Sequence, residues 1–252
     1  MLFNRRDLEN KKLYTRFCKR GHDQNINNTI VFLDERAERC LKCKQIEAER
    51  LFNRTKQDKN IQFDIILPTI NRPSLKESIK SVLDQSYQKW ILYVIGDGVD
   101  PDNSIKDDRI VYLRTVNNYN DSGATPRNIG ISISFSYYIA YNDCDDLLKP
   151  HAIQTVVDMI SSNPQANIFK TSGTPFYMKH KHPRSSQKIM KMGQPNHNDI
   201  MTVGLSHSRE IFEKTEGWKN IPEMHDRVLF NEMIAAGGIP IISQEVTFLY
   251  RR

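Results

Sequence analysis

Two short apolar runs constrain this chain more than anything else in it. Ile61-Gln62-Phe63-Asp64-Ile65-Ile66-Leu67-Pro68 and Trp90-Ile91-Leu92-Tyr93-Val94-Ile95 have strand length and, apart from Gln62 and Asp64, are apolar on successive residues rather than alternate ones. Such a strand must be covered on both faces, as a parallel strand inside an α/β sheet is. The first run ends at a proline and the second enters Gly96-Asp97-Gly98. Between them, Ser74 is placed to cap a helix whose apolar positions Leu75, Ile79, Val82 and Leu83 recur at helical spacing. A third run spans residues 109–114. Strand, helix, strand with polar loops at the strand ends predicts an α/β sheet with its ligands at the strands' carboxyl ends.

The densest chemistry lies in Tyr141-Asn142-Asp143-Cys144-Asp145-Asp146-Leu147, after a β-favouring apolar run expected from Ile129 to Tyr141. Clustered carboxylates repel one another unless a cation sits on them, and oxygen ligands suit Mg²⁺ or Mn²⁺. If this stretch is extended, Asp143 and Asp145 point to the same side, where they can grip a metal that in turn holds a diphosphate. A solvated Asp-rich turn is the plainer reading of an isolated cluster, but this one is accompanied. Pro68-Thr69-Ile70-Asn71-Arg72 follows the first strand and Gly96-Asp97-Gly98 the second, with Gly123-Ala124-Thr125-Pro126-Arg127-Asn128-Ile129-Gly130 before the cluster. Arg127 is placed to pair with a phosphate, and Gly130 would let a helix or strand pack closely. Neither a Gly-Lys-Ser/Thr loop nor a Gly-x-Gly-x-x-Gly turn after the first strand is present. Phosphate recognition must therefore run through metal and side chains.

On Leu67 to Arg72, Gly96-Asp97-Gly98, Arg127-Asn128-Ile129-Gly130 and Asp143-Cys144-Asp145-Asp146, in that order, residues 63–250 resemble the family 2 glycosyltransferases. The resemblance implies the GT-A fold, a Rossmann-like mixed sheet flanked by helices that binds a nucleotide-diphosphate sugar. It places Pro68, Thr69, Arg72, Asp97, Arg127, Asp143, Cys144 and Asp145 at the donor. Asp143 and Asp145 would hold Mn²⁺ or Mg²⁺, with Asp146 ligating or orienting and Cys144 turned into the core. Gly96 stands where many members carry an Asp, so Asp97 is left to make that loop's contact with base or ribose. Downstream, Gly217-Trp218 and Pro222-Glu223-Met224-His225-Asp226-Arg227-Val228-Leu229-Phe230 match the acceptor-side region. Asp226 matches the general base of an inverting transfer, on a helix that Gly237-Gly238 closes; a helix-start carboxylate facing the dipole is its structural alternative. Residues 171–200 read as a mobile acceptor-side loop, with His180, His182, His197 and His207 as candidates for a further metal or phosphate contact.

The N-terminal part has a different character. Residues 1–60 hold 15 Lys/Arg against 9 Asp/Glu, while the remaining 21 of each sign cancel, so the net charge of +6 belongs to this segment. A polyanionic partner, with nucleic acid such as double-stranded DNA the first candidate, is one reading of that charge, and an exposed basic helix that only keeps the protein soluble is the other. Cys18-x3-His22, a 17-residue loop and Cys40-x2-Cys43 form the ligand set of a closed tetrahedral Zn²⁺ site. Thr29 to Leu33 reads as a strand over the metal, and residues 44–56 as a helix carrying the last ligands onward. A segment this small would draw its folding energy from zinc. With Gly21 and Arg39, these ligands also resemble small zinc modules of phage nucleic-acid enzymes, which implies nucleic-acid contact.

The expected organisation is thus a zinc-binding module and linker helix over residues 1–60 and a GT-A domain over 61–252. No window approaches 18 consecutive apolar residues, and the N-terminus lacks the apolar core of a secretory signal, so a cytoplasmic protein is expected (host cytoplasm if viral). The expected activity is a metal-dependent, inverting transfer of sugar from a nucleotide sugar, UDP-sugar by preference, to a hydroxymethylated base of phage DNA. The alternatives are a glycan or protein acceptor, with zinc as a brace or docking element, and a non-catalytic nucleic-acid-binding protein.

Overall fold

A computed structural model describes residues 16–17, 23–24, 29–32, 37–55, 61–179, 189–221 and 224–252. The chain begins with β1 (Arg16–Phe17), β2 (Asp23–Gln24), β3 (Thr29–Phe32), β4 (Ala37–Cys40) and α1 (Leu41–Thr55). Then come β5 (Phe63–Thr69), α2 (Leu75–Leu83), β6 (Trp90–Gly96), β7 (Ile110–Thr115), α3 (Ala124–Ile133) and β8 (Tyr138–Tyr141). The last part holds β9 (Leu147–Leu148), α4 (Ala152–Ser162), β10 (Ile168–Lys179), β11 (Ile189–Met192), β12 (Leu205–Ser208), the one-turn α5 (Arg209–Phe212), α6 (His225–Ala235) and β13 (Pro240–Arg251).

One mixed sheet organises these elements in the order β4-β3-β7-β6-β5-β8-β12-β10-β13-β9, with β11 paired to β10. Its centre, β7-β6-β5-β8, is parallel, with Thr69 opposite Gly96 and Ile66 opposite Tyr141. β5 is buried along its whole length because helices cover both sides, and its one charged residue, Asp64, is paired with Arg209. Phe63, Ile65 and Leu67 meet Leu75, Ile79 and Val82 of α2 and Val156 of α4 in one cluster. Ile66 faces the other way, toward Ala124 and Ile131 of α3, Leu229 and Met233 of α6, and Trp218. Alternate residues of one strand thus feed two separate cores.

The strand expected from Ile129 to Tyr141 is shorter than its sequence suggests, because Ile129 to Ile133 belong to α3. Gly130 brings this helix onto the sheet: a Cβ there would lie 2.4 Å from Ile95 Cδ1 and 3.0 Å from Ile66 Cγ2. Burial against β5 and β6 outweighs the modest strand preference of the isoleucines. The mobile loop expected over residues 171–200 is also revised. Through Lys179 it is β10, held between β12 and β13, and His180 and His182 lie outside the described residues.

The basic N-terminal segment does not stand apart where it is described. β3 joins the edge of the main sheet antiparallel to β7, with Ile30 opposite Thr115, and β4 continues beyond it. Ile30 and Leu41 belong to the same apolar cluster as Ile66, Tyr93 and Leu113. The α1 helix lies against α3, where Gln45 Nε2 donates to Ser132 Oγ at 3.1 Å. Phe52 of α1 stacks on Tyr137 with ring centroids 6.2 Å apart. The strand expected over a zinc ion therefore packs on the sheet, and the sheet supplies burial that was expected from metal. Cys40 ends β4 and Cys43 sits in the first turn of α1, whereas Cys18 and His22 lie outside the described residues.

Candidate functional site

The chain runs outward from β5 through β6 to β7 and then returns to lay β8 on the other side of β5. That reversal opens a crevice at the carboxyl ends of β5 and β8, the place where open α/β sheets take ligands. A cavity of about 400 Å³ lies there. It is lined by Pro68 and Thr69 at the end of β5, Ile70 and Arg72 just beyond it, Asp97 after β6, Asn120, Ser122, Gly123 and Arg127 around the start of α3, Asp143, Cys144 and Asp145 after β8, and His225 of α6. All eight residues expected at a donor line this one cavity.

The acidic cluster reaches the cavity by a different geometry from the extended one expected. The strand stops at Tyr141, and the chain turns so that the Asp146 N–H donates to the Asp143 carbonyl at 3.1 Å. Two serines of α2 hold the turn from below: Ser74 Oγ donates to the Cys144 carbonyl at 2.9 Å and Ser78 Oγ to that of Asp146 at 2.8 Å. Ser74 sits at the helix cap position but makes no side-chain cap bond. Cys144 is buried in the core as expected, and burial pushes its thiol pKa up.

Two arginines cover two of the carboxylates. Arg72 Nη1 lies 2.8 Å from Asp145 Oδ2, and Arg127 Nη2 lies 2.5 Å from Asp143 Oδ1. The buried Arg127 also donates to the Ser122 carbonyl at 2.8 Å and lies over Trp218, 4.9 Å from the ring centre. Asp146, behind them, accepts from the Arg251 N–H at 2.9 Å. Burial first, then the charges of Asp143 and Asp145, push its pKa up to about 8. Asp143 and Asp145 are thus each held by a guanidinium here, and a divalent cation shared with a diphosphate would take over those two carboxylates.

Asp97 is buried, and its carboxylate accepts from the N–H groups of Tyr119 at 2.8 Å and Asn120 at 2.9 Å. It braces the loop that forms one wall of the cavity. Gly96 precedes it because the backbone folds back tightly there; a Cβ would stand 1.9 Å from the Val99 carbonyl oxygen. Behind Arg127, a buried chain of hydrogen bonds runs from Trp218 Nε1 to Tyr141 Oη at 3.2 Å and on to His207 Nε2 at 2.6 Å. His207 Nδ1 is 2.9 Å from the Ser208 carbonyl, which can only accept, so Nδ1 carries the proton and Nε2 accepts from the tyrosine. Both ring nitrogens are used inside the core, and burial lowers the pKa of His207 to about 4. The expectation that His207 contacts a metal or phosphate is therefore corrected.

Asp226 occupies the first turn of α6, where its Oδ1 accepts from the Arg227 N–H at 2.8 Å. The adjacent His225, not Asp226, lines the cavity. Asn120 and Ser122 were missed by the sequence analysis, which began its candidate run only at Gly123, although Asn117-Asn118-Tyr119-Asn120-Asp121-Ser122-Gly123 is rich in turn residues. Asn120, Ser122 and Gly123 all have positive φ, at 49°, 57° and 79°.

Residues 64–215 match the family described as Glycosyl transferase family 2. The chain belongs to that family. An uncharacterized glycosyltransferase of Rickettsia bellii is 32% identical over 112 residues, which are 42% of this chain and 16% of the relative. The Escherichia coli protein named UDP-Glc:alpha-D-GlcNAc-diphosphoundecaprenol beta-1,3-glucosyltransferase WfgD is 30% identical over 105 residues, 39% of this chain and 41% of the relative. The aligned part is thus less than half of either relative. Among solved structures, residues 1–349 of TarS from S. aureus superpose with a TM-score of 0.58 at 10% identity, covering 75% of this chain and 60% of that one. The mannosyltransferase PcManGT from Pyrobaculum calidifontis, in complex with GDP-Man and Mn²⁺, gives 0.54 at 13% identity over 83% of this chain and 66% of that one. These likenesses support the GT-A type of fold seen in the sheet.

The donor chemistry fits a hard cation. Among the described residues no group of three or more His, Cys, Asp or Glu side chains is placed to hold a metal by itself. Mg²⁺ and similar ions are commonly held by one or two carboxylates together with substrate phosphates. Asp143 and Asp145, facing a cavity that also contains two arginines, suit that shared arrangement. No helix among the described residues is long and apolar enough to cross a membrane.

Proposed function

We propose that the chain is a glycosyltransferase that moves a sugar from a nucleotide diphosphate to an acceptor hydroxyl, with the donor in the cavity between β5 and β8. The observation that carries this reading is the meeting of Thr69, Arg72, Asp97, Arg127, Asp143 and Asp145 around that one cavity. Asp143 and Asp145 would hold Mn²⁺ or Mg²⁺, which when bound neutralises the diphosphate as it leaves. Arg72 and Arg127 exchange their carboxylate partners for phosphate oxygens and hold the departing group in place. Asp226 takes the proton of the acceptor hydroxyl while the acceptor oxygen bonds to the anomeric carbon and the bond to the diphosphate breaks, inverting that carbon. TarS structures with UDP and UDP-GlcNAc favour a uridine nucleotide, and PcManGT with GDP-Man is the competing precedent.

A glycan hydroxyl is the acceptor favoured by the name of one relative, WfgD. A hydroxymethylated base of phage DNA is the second reading, favoured by the positive charge of residues 1–60 and by Cys40 and Cys43 as half of a Zn²⁺ ligand set. The experiment is sugar release from UDP-GlcNAc, UDP-glucose and GDP-mannose, with Mn²⁺, Mg²⁺ or EDTA, followed by transfer to glycan acceptors or hydroxymethylated duplex DNA. Cation-dependent release that drops at least a hundredfold in Asp143→Asn and Asp145→Asn is expected. Full activity in both variants would refute the assignment of the cavity.

A further inference from the structure

We propose that His225 reads the donor sugar, its Nε2 hydrogen-bonding a hydroxyl of the group being transferred. The inference rests on the donor reading above and adds to it a determinant of sugar specificity. His225 reaches the cavity from α6, an element separate from the strand ends and the start of α3 that supply the other cavity walls. Its ring stands edge-on to Trp218 with centroids 5.5 Å apart, so the wall that supports Arg127 also fixes the imidazole. Its Nδ1 is enclosed with no hydrogen-bond partner among the described residues. A polar contact with a ligand therefore falls to Nε2.

The place of the ring decides which part of a donor it meets. His225 shares the cavity lining with Asp143 and is followed in the first turn of α6 by Asp226. In the proposed reaction the first belongs to the diphosphate and the second to the acceptor. A transferred sugar is bonded to the diphosphate and attacked from the acceptor side, so it must lie between those two groups. Burial, and then the nearby Arg127, lower the imidazole pKa and keep the ring neutral. A neutral imidazole suits a sugar hydroxyl, which can donate or accept, better than it suits a phosphate oxygen.

Calorimetric titrations of wild-type protein, His225→Ala, His225→Asn and His225→Gln with UDP, UDP-GlcNAc, GDP and GDP-mannose in MnCl₂ test this. Affinity for the bare nucleotide that binds wild type should stay within about twofold in every variant. Affinity for its sugar nucleotide should fall about fivefold in the Ala and Asn variants, the size of one neutral hydrogen bond. Gln, whose amide reaches the Nε2 position, should restore it. A ratio of sugar-nucleotide to nucleotide affinity that is unchanged in His225→Ala overturns the inference, as does rescue by Asn rather than Gln. Wild-type protein that binds none of the four ligands overturns the donor reading itself, and the inference with it.

Discussion

Acidification should weaken this fold through His207, a residue outside the cavity. Its imidazole is fully buried, with its pKa lowered to about 4 from an ordinary 6.5. Between those values the unfolded chain binds a proton that the folded chain refuses, so a fall in pH favours unfolding. The stabilisation is present above pH 6.5 and is lost as the pH drops toward 4. From pH 7 to pH 5 the loss from this group alone is about 2 kcal/mol, approaching about 3 kcal/mol by pH 4. Urea unfolding followed by tryptophan fluorescence at both pH values would measure it, with His207→Gln as the reference that has nothing to titrate. The wild-type loss should exceed that of the variant by about 2 kcal/mol. Equal losses would show that His207 is not enclosed, and the Trp218–Tyr141–His207 chain behind Arg127 would have to be abandoned.

Three further outcomes follow from the same packing. Arg209 and Asp64 form a buried pair at 3.4 Å, tied also to Ser136 and Ser134. Arg209→Ala should cost about 3–5 kcal/mol in urea unfolding, because it leaves a buried carboxylate without its cation; a loss below about 1 kcal/mol would contradict that role. Gly130→Ala should lower stability by about 1 kcal/mol, since the added methyl meets Cδ1 of the buried Ile95 at 2.4 Å and Cγ2 of the β-branched Ile66 at 3.0 Å, and this crowding outweighs the helix preference of Ala. An unchanged unfolding midpoint would mean that the Ile95 side chain gives way or that α3 sits farther from the sheet. Arg72→Ala should leave the melting temperature nearly unchanged, because its pair with Asp145 is half exposed. The same variant should weaken nucleotide diphosphate binding about tenfold, the scale of a charge-assisted hydrogen bond, and unaltered binding would remove Arg72 from the donor site.

Much of the site was legible because local chemistry and fold position coincide. Pro68, Thr69, Arg72 and Asp97 end or follow strands recognisable by their apolar runs, and a parallel sheet puts all such ends on one edge. Asp143 and Asp145 were found for a partly mistaken reason, since a turn and not strand alternation brings them to the cavity. The isoleucines of α3 misled because their strand preference is weak beside burial on β5 and β6. His207 misled because nothing local distinguishes an exposed ligand from a histidine whose two nitrogens are consumed by the core.

The sequence by itself determined the class of fold, the strand ends that line the cavity and the carboxylates gathered there, because those follow from hydrophobic period and residue type along the chain. Only the tertiary structure decided which of two neighbours, His225 or Asp226, lines the cavity, since one residue along a helix turns a side chain by about 100° and its direction depends on where the helix is packed. Tertiary structure likewise decided that β3 and α1 belong to the main body. Charge and cysteine spacing describe what a segment can bind, whereas the strand edge and helix face on which it buries its apolar residues lie elsewhere in the chain.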